Sequence, residues 1–218
     1  MSKKATGFWD KLRSSFKSTA RLAHDTEVVT IVSGLPRSGT SMMMKMLEAG
    51  GIHPLTDEIR SADTDNPKGY YEFERVKQLD KGDTAWLEQA GGKAVKVIAA
   101  LLQHLPSDYR YRVVFMIRDL DEMLRSQKQM LIRRGESPDK VRDEEMAAVF
   151  RKHLNQIQTW LGDQPNFEVL YVSYNEVLKD PIEPAEKINQ FLGDTLNVEK
   201  MVDVVDPNLY RQRRGPGR

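Results

Sequence analysis

Residues 27–47 of the chain read EVVTIVSGLPRSGTSMMMKML and change character twice. The apolar run at 27–33 predicts a strand that is buried on both faces, as strands of parallel sheets are. The loop GLPRSG follows at 34–39, and residues 40–49 predict a helix. Such a loop presents backbone N–H groups and the positive end of a helix dipole to an anion. The stretch therefore predicts an anion-binding loop at the carboxyl end of a buried strand.

The basic residue of this loop does not stand at the position where a nucleoside-triphosphate site has its lysine. Such sites commonly follow G-x-x-x-x-G-K-[ST], in which the lysine reaches the β- and γ-phosphates. Here Thr40 stands at the lysine position, the cation is Arg37 inside the loop, and Lys45 lies too far along the helix to replace it. A guanidinium can instead make a forked contact with phosphate or sulfate oxygens. The loop therefore favours an anion other than ATP with magnesium.

The rest of the sequence alternates between strand and helix patterns, which predicts an α/β fold. This alternation is typical of three layers, in which helices cover both faces of a mostly parallel central sheet. Ligands of such sheets bind at the carboxyl ends of the strands. The predicted strands are 27–33, 110–117, 167–173 and the start of 93–101, the predicted helices are 40–49, 74–89, 119–134, 140–161, 181–192 and 197–204, and 50–72 is predicted as loop.

Composition narrows the class of protein. The 218 residues carry 33 Lys and Arg against 32 Asp and Glu, a net charge of +1, so we expect no nucleic-acid partner. There is no cysteine and therefore no disulfide. No apolar run is long enough to span a membrane, and the N-terminus lacks the pattern of a secretion signal. We expect a soluble, cytoplasmic protein.

The two ends of the chain differ from the domain that we place at 27–210. The extension at 1–26 contains a basic amphipathic segment with apolar residues at helical spacing. Two interpretations stay open: the segment docks on its own domain, or residues 1–22 make a peripheral contact with an anionic membrane surface or a partner. Residues 211–218 form a basic tail.

The loop sequence carries a family resemblance. GLPRSGTS resembles the 5′-phosphosulfate-binding loop of the sulfotransferase superfamily, G-x-P-[RK]-S-G-T-[ST], and NPKGYYE at 66–72 is similar to a segment of its bacterial members. The resemblance implies a fold like that of P-loop NTPases, the donor 3′-phosphoadenosine 5′-phosphosulfate (PAPS), the product 3′,5′-diphosphoadenosine (PAP) and no metal. The implied donor-binding residues of the loop are Pro36, Arg37, Ser38, Gly39, Thr40 and Ser41.

A second anion site is indicated after the strand at 110–117. Arg118 follows this strand and Ser126 lies about two helical turns later, so both can face the carboxyl edge of the sheet. Their spacing resembles the family's 3′-phosphate motif R-N-P-x-D-x-x-x-S, with Asp-Leu in place of Asn-Pro and Glu122 in place of the aspartate. The resemblance implies that Arg118 and Ser126 bind the 3′-phosphate. The alternative is that Arg118 pairs with a neighbouring aspartate on a surface turn.

YVSYNEVLKDP at 171–181 resembles the family's Y-E-[DN]-L-x-x-x-P segment. The resemblance implies that Tyr174 lies beside the adenine, although Asn175 and Glu176 depart from the usual Glu-Asp. The alternative is a tyrosine that packs its ring in the core. The basic tail either closes over the 3′-phosphate, as in some relatives, or is a disordered end.

Sulfo transfer to a hydroxyl needs a group that accepts the proton and groups that stabilise the departing phosphate. We assign Arg37 to the departing phosphate. The histidine that some members use is absent from AVKVIAAL at 94–101, where Lys96 can reach the site. As the base we choose Glu72 first and Glu74 second. The alternative for both is a carboxylate at the start of a helix, stabilised by the helix dipole.

Together these resemblances imply a sulfotransferase that moves a sulfo group from PAPS to a hydroxyl or amine. The expected acceptor is a small molecule or a group on a glycan or peptide. Two alternatives stay open: a nucleotide kinase or NTPase with an aberrant loop, and a non-catalytic module that binds PAPS or PAP. The missing lysine counts against a kinase or NTPase. So does Arg118, which follows strand 110–117 at a position where an NTPase would have an aspartate that holds magnesium.

Overall fold

The computed structural model describes residues 28–57, 70–133, 135–137 and 142–206. The strands are β1 (Val28–Gly34), β2 (Ala94–Lys96), β3 (Arg110–Ile117) and β4 (Phe167–Ser173). The α-helices are α1 (Thr40–Gly50), α2 (Leu120–Arg133), α3 (Asp143–Gly162), α4 (Tyr174–Lys179), α5 (Ile182–Leu192) and α6 (Val198–Asp203). Three 3₁₀ helices span Glu74–Lys81, Ala85–Gln89 and Ala99–His104.

Three features predicted from the sequence lie outside the described residues. They are the basic amphipathic segment at 1–26, residues 58–69 of the loop predicted at 50–72, and the basic tail at 211–218. Among the helices that the structure does describe, none combines the length and the apolar character that crossing a bilayer requires. Within the same ranges, no three His, Asp or Glu side chains converge in a way that could hold a metal ion.

The strands form one parallel sheet in the order β2-β1-β3-β4. β1 is central, and its residues Val28–Gly34 pair in parallel with Arg110–Met116 of β3. All residues of β1 after Val28 are buried, which is why this strand reads as a continuous apolar run and does not alternate. The strand predicted at 27–33 is therefore confirmed with a shift of one residue.

Helices cover both faces of the sheet, so the predicted three-layer α/β/α architecture is confirmed. Successive side chains of β3 point to opposite faces. Val114 and Met116 join a core with α1, α4, α5 and α6. Val113 and Phe115 join the core on the other face, with α2, α3 and the 3₁₀ helices.

Two helical segments differ from the sequence-based prediction, at 74–89 and at Tyr174–Lys179. The predicted helix at 74–89 is two 3₁₀ helices, because Gly82 adopts a left-handed conformation with φ 86° and ends the first of them. The strand predicted at the start of 93–101 is confirmed as Ala94–Lys96, and a 3₁₀ helix follows it at Ala99–His104. The short helix α4 was not predicted, although the Ser173 hydroxyl caps it by accepting the backbone N–H of Glu176 at 3.3 Å.

Candidate active site

A cavity of about 440 Å³ opens along the carboxyl ends of all four strands. Lys96 ends β2, the loop at 34–39 follows β1, Arg118 follows β3, and Tyr174 follows β4. All four of these positions contribute residues to the cavity wall. The strands are parallel and share this edge, so four distant stretches of sequence converge on one site.

The loop at 34–39 is packed closely enough to require glycine at both ends. A Cβ on Gly34 would lie 2.4 Å from the Ser38 hydroxyl and 2.7 Å from the carbonyl oxygen of Met116. A Cβ on Gly39, where φ is +100°, would lie 2.3 Å from Cδ2 of the Tyr174 ring. The glycines therefore let the loop backbone rest against the end of β3 and against this ring.

Arg37 joins the two predicted anion sites. Its φ of 69° is left-handed, which is uncommon for a residue other than glycine and is often found at functional sites. The Nε of Arg37 donates a hydrogen bond to the Ser126 hydroxyl at 3.0 Å. The carbonyl oxygen of Arg37 accepts a hydrogen bond from Nη1 of Arg118 at 3.1 Å. The loop and the Arg118 region are therefore in direct contact.

Arg118 is held in a buried polar network. Its side chain is 7% exposed, and its Nε donates to Oε2 of Glu122 at 3.3 Å. The same oxygen accepts a hydrogen bond from Nδ2 of Asn175 at 3.1 Å. Arg118 therefore forms a buried ion pair with Glu122, in the first turn of α2. Asp119, which we considered as a surface partner of Arg118, caps α2 by accepting the backbone N–H groups of residues 121 and 122.

Tyr174 is both a core residue and part of the cavity wall. It belongs to the core beneath α1, and its ring lies 4.3 Å from the guanidinium carbon of Arg118. Burial raises the pKa of its phenol, Arg118 and Arg37 oppose that rise, and Glu122 adds to it. The phenol is therefore neutral near pH 7. Because Tyr174 packs in the core and also lines the cavity, the interpretation as a core residue is compatible with the interpretation as a residue beside the adenine.

The loop residues differ in how they face the cavity. Ser38 is 1% exposed, its hydroxyl is buried, and no described atom forms a hydrogen bond with that hydroxyl. The backbone N–H of Ser38 donates to the carbonyl oxygen of Leu35 at 3.2 Å. Ser38 thus turns beneath the loop and does not line the cavity, unlike the other five predicted loop contacts, Pro36, Arg37, Gly39, Thr40 and Ser41.

The structure separates the two candidate bases. Glu72 lies in the non-helical stretch 70–73 and lines the cavity. Glu74 begins a 3₁₀ helix and is not part of the cavity wall. Both carboxylates pair with Nζ of Lys77, at 3.3 Å for Glu72 and 2.6 Å for Glu74. Of the two, only Glu72 is placed where an acceptor in the cavity could reach it.

Lys96 connects the loop helix to the segment that carries Glu72. Its Nζ donates hydrogen bonds to the Ser41 hydroxyl at 3.2 Å and to the carbonyl oxygen of Tyr70 at 2.9 Å. The side chain also lines the cavity. Lys96 therefore brings a positive charge to the first turn of α1 and holds residue 70 beside it.

The family is settled by a match along most of the chain. The sulfotransferase-domain family model matches residues 28–214. The chain belongs to the sulfotransferase family. A search of curated proteins found no match.

Solved sulfotransferases match this chain at low sequence identity. A sulfotransferase from Mycobacterium tuberculosis H37Rv is 15% identical with a TM-score of 0.51, over 88% of this chain and 74% of that one. A mouse sulfotransferase, solved with PAP, is 18% identical with a TM-score of 0.48, over 84% of this chain and 66% of that one. The sulfotransferase domain from the curacin biosynthetic pathway is 15% identical with a TM-score of 0.46, over 82% of this chain and 77% of that one. The chain thus spans just under two thirds of the mouse protein.

Sequence reasoning missed two parts of this sulfotransferase-family site. The first is the contact between Glu122 and Asn175, which were noted only as departures from family motifs. The only sequence signal for this contact was that both residues follow predicted strands, whose carboxyl ends lie at the same edge of a parallel sheet. The second is Ile98, which is 46% exposed and lines the cavity. Its only signal in the sequence was its place just after a predicted strand, at the edge where ligands bind.

Proposed function

We propose that this chain transfers a sulfo group from PAPS to a hydroxyl or amine acceptor. The observation that carries the proposal is the contact between the two anion sites, in which Nη1 of Arg118 donates to the Arg37 carbonyl at 3.1 Å. Arg37 and the loop would hold the 5′-phosphosulfate, while Arg118 and Ser126 would hold the 3′-phosphate. An adenosine with anionic groups at both ends suits two adjacent sites of this kind.

The residues at the cavity fit such a donor. The glycine at 39 lets the loop backbone rest against the Tyr174 ring, and that ring is neutral and lies beside Arg118. PAPS supplies a sulfo group that is activated by its link to the 5′-phosphate. The N-terminus of α1, Arg37 and Lys96 would stabilise negative charge at this end of the cavity, because fixed donors and dipoles need no reorganisation during the reaction.

Glu72 is our proposed base. It lines the cavity, and Lys77 holds its carboxylate at 3.3 Å. A carboxylate at this position can accept the proton of an acceptor hydroxyl. Glu74 shares the same lysine but lies outside the cavity wall, so we assign it a role in holding Lys77.

The acceptor end of the cavity favours a small molecule with an apolar body. Phe73, Val76, Val97, Ile98 and Leu101 line this part of the cavity. Trp86 packs edge-on behind Phe73 with a centroid distance of 5.9 Å, so the wall is supported from the core. A glycan placed here would leave hydroxyl groups without partners, at a cost of about 1–3 kcal/mol for each.

Incubation with labelled PAPS and a panel of alcohols tests this proposal. We expect PAP release with apolar alcohols, and a fall in kcat of about 10²-fold or more in Glu72→Gln. Glu74→Gln is the matched control and should stay near the wild-type rate. Tight PAP binding without turnover of any acceptor would instead support a non-catalytic binding module. Failure to bind PAP would refute the proposal.

A further inference from the structure

We propose that Glu122 and Asn175 form a positioning pair that holds Arg118 in place for the donor's 3′-phosphate. The inference rests on the donor assignment made above and adds two residues to it. Asn175 does not line the cavity, so it would act through Glu122 and not by touching the nucleotide.

The guanidinium of Arg118 is fixed from three directions. Its Nε donates to Oε2 of Glu122 at 3.3 Å, and its Nη1 donates to the Arg37 carbonyl at 3.1 Å. One face of the guanidinium covers the Tyr174 ring at 4.3 Å. These contacts determine the direction in which the guanidinium can meet a phosphate, and a planar forked donor is sensitive to that direction.

Asn175 links Glu122 to a different element of the fold. Arg118 precedes α2 and Glu122 lies in its first turn, so their ion pair by itself does not join α2 to the segment that follows β4. Asn175 belongs to α4, which follows β4, and it donates to the same Oε2 atom at 3.1 Å. The hydrogen bond therefore ties the first turn of α2 to a second element of the sheet edge.

The chemistry of the pair also limits what can replace it. Glu122 is 1% exposed, and a buried carboxylate needs both its charge partner and its hydrogen-bond donors. A neutral amide at 175 leaves the positive charge of Arg118 available to a phosphate. A carboxylate at 175 would add a second negative charge beside Glu122 and would compete with the nucleotide for Arg118.

Three variants of the full chain test the pair. Asn175→Ala removes the hydrogen bond, and Asn175→Asp adds the competing charge. Asn166→Ala is the matched control, because Nδ2 of Asn166 also donates a hydrogen bond, to the Tyr109 carbonyl at 3.0 Å, but just before β4 at the opposite end of the strand. Calorimetric titration with PAP and with 5′-AMP is the readout, and thermal unfolding checks that each variant is folded.

We expect Asn175→Ala to weaken PAP binding about fivefold, the loss for one hydrogen bond, and to leave 5′-AMP binding nearly unchanged. Asn175→Asp should weaken PAP binding further, and Asn166→Ala should change neither affinity. Equal losses for the two nucleotides, or wild-type PAP binding in both Asn175 variants, would overturn the positioning role. If the wild-type chain does not prefer PAP to 5′-AMP, the donor assignment itself fails, and the inference fails with it.

Discussion

Replacing Gly39 by alanine should destabilise the protein more than the same change at Gly51. Both glycines have left-handed backbone, with φ of +100° at Gly39 and +115° at Gly51. A Cβ at 39 would lie 2.3 Å from Cδ2 of Tyr174, whereas a Cβ at 51 has no heavy atom within 4 Å. Backbone strain alone should cost about 1–2 kcal/mol at either site. The clash with the ring should add about 1–3 kcal/mol at Gly39.

Urea unfolding of the wild type and the two variants measures this difference. We expect the free energy of unfolding to fall by about 2–5 kcal/mol in Gly39→Ala, as the sum of strain and overpacking, and by about 1–2 kcal/mol in Gly51→Ala. A double variant, Gly39→Ala with Tyr174→Ala, removes the ring and should cost less than the sum of the single variants. Titration with PAP should show weaker binding in Gly39→Ala only.

Equal losses of unfolding free energy at the two glycines would refute this reasoning. That result would mean that the Tyr174 ring does not rest against the loop. Strict additivity in the double variant would lead to the same conclusion, because residues in contact are expected to show a coupling energy.

Two further predictions concern a buried phenol and a bridging lysine. Burial raises the pKa of Tyr111, so its contribution to stability is complete below the unfolded pKa of about 10 and is lost as the pH rises toward the folded value. The free energy of unfolding, measured with urea, should therefore fall as the pH rises above about 10. It should fall less steeply in Tyr111→Phe, and an equally steep fall in the wild type and the variant would contradict this. Lys96→Met removes the hydrogen bonds to Ser41 and to the Tyr70 carbonyl, so amide hydrogen exchange should become faster at residues 70–73. Unchanged exchange in that stretch would show that Lys96 does not hold it.

The central strand and its loop could be predicted because their signals are local. A continuous apolar run indicates a strand buried on both faces, and a glycine-bounded loop before a helix indicates an anion site. The stretch 74–89 was harder, because the choice between an α-helix and two 3₁₀ helices depends on Gly82 and on packing against Ala99–His104. α4 had a cap signal in Ser173 but only six residues, too few for a helical period.

One topological rule predicted that the site residues lie at the same edge of the sheet. The directions of their side chains could not be predicted in this way. Parallel strands share a carboxyl edge, so Arg37 and Arg118 could be expected to lie near each other. Ser38 turns inward directly after Arg37, whose backbone is left-handed, and no sequence period reveals either feature. The contact between Glu122 and Asn175 joins residues 53 positions apart, and it arises because the neighbouring strands β3 and β4 end at the same edge of the sheet.

Calorimetric titration of the full chain with PAP, 5′-AMP and ATP with magnesium tests the central claim most directly. If Arg37 and Arg118 bind opposite ends of one adenosine nucleotide, PAP should bind more tightly than 5′-AMP and than ATP with magnesium. Its 3′-phosphate should contribute about 1.5–3 kcal/mol through charge-assisted hydrogen bonds, which is about tenfold or more over 5′-AMP. Tighter binding of ATP with magnesium than of PAP, or equal affinity for PAP and 5′-AMP, would contradict the account.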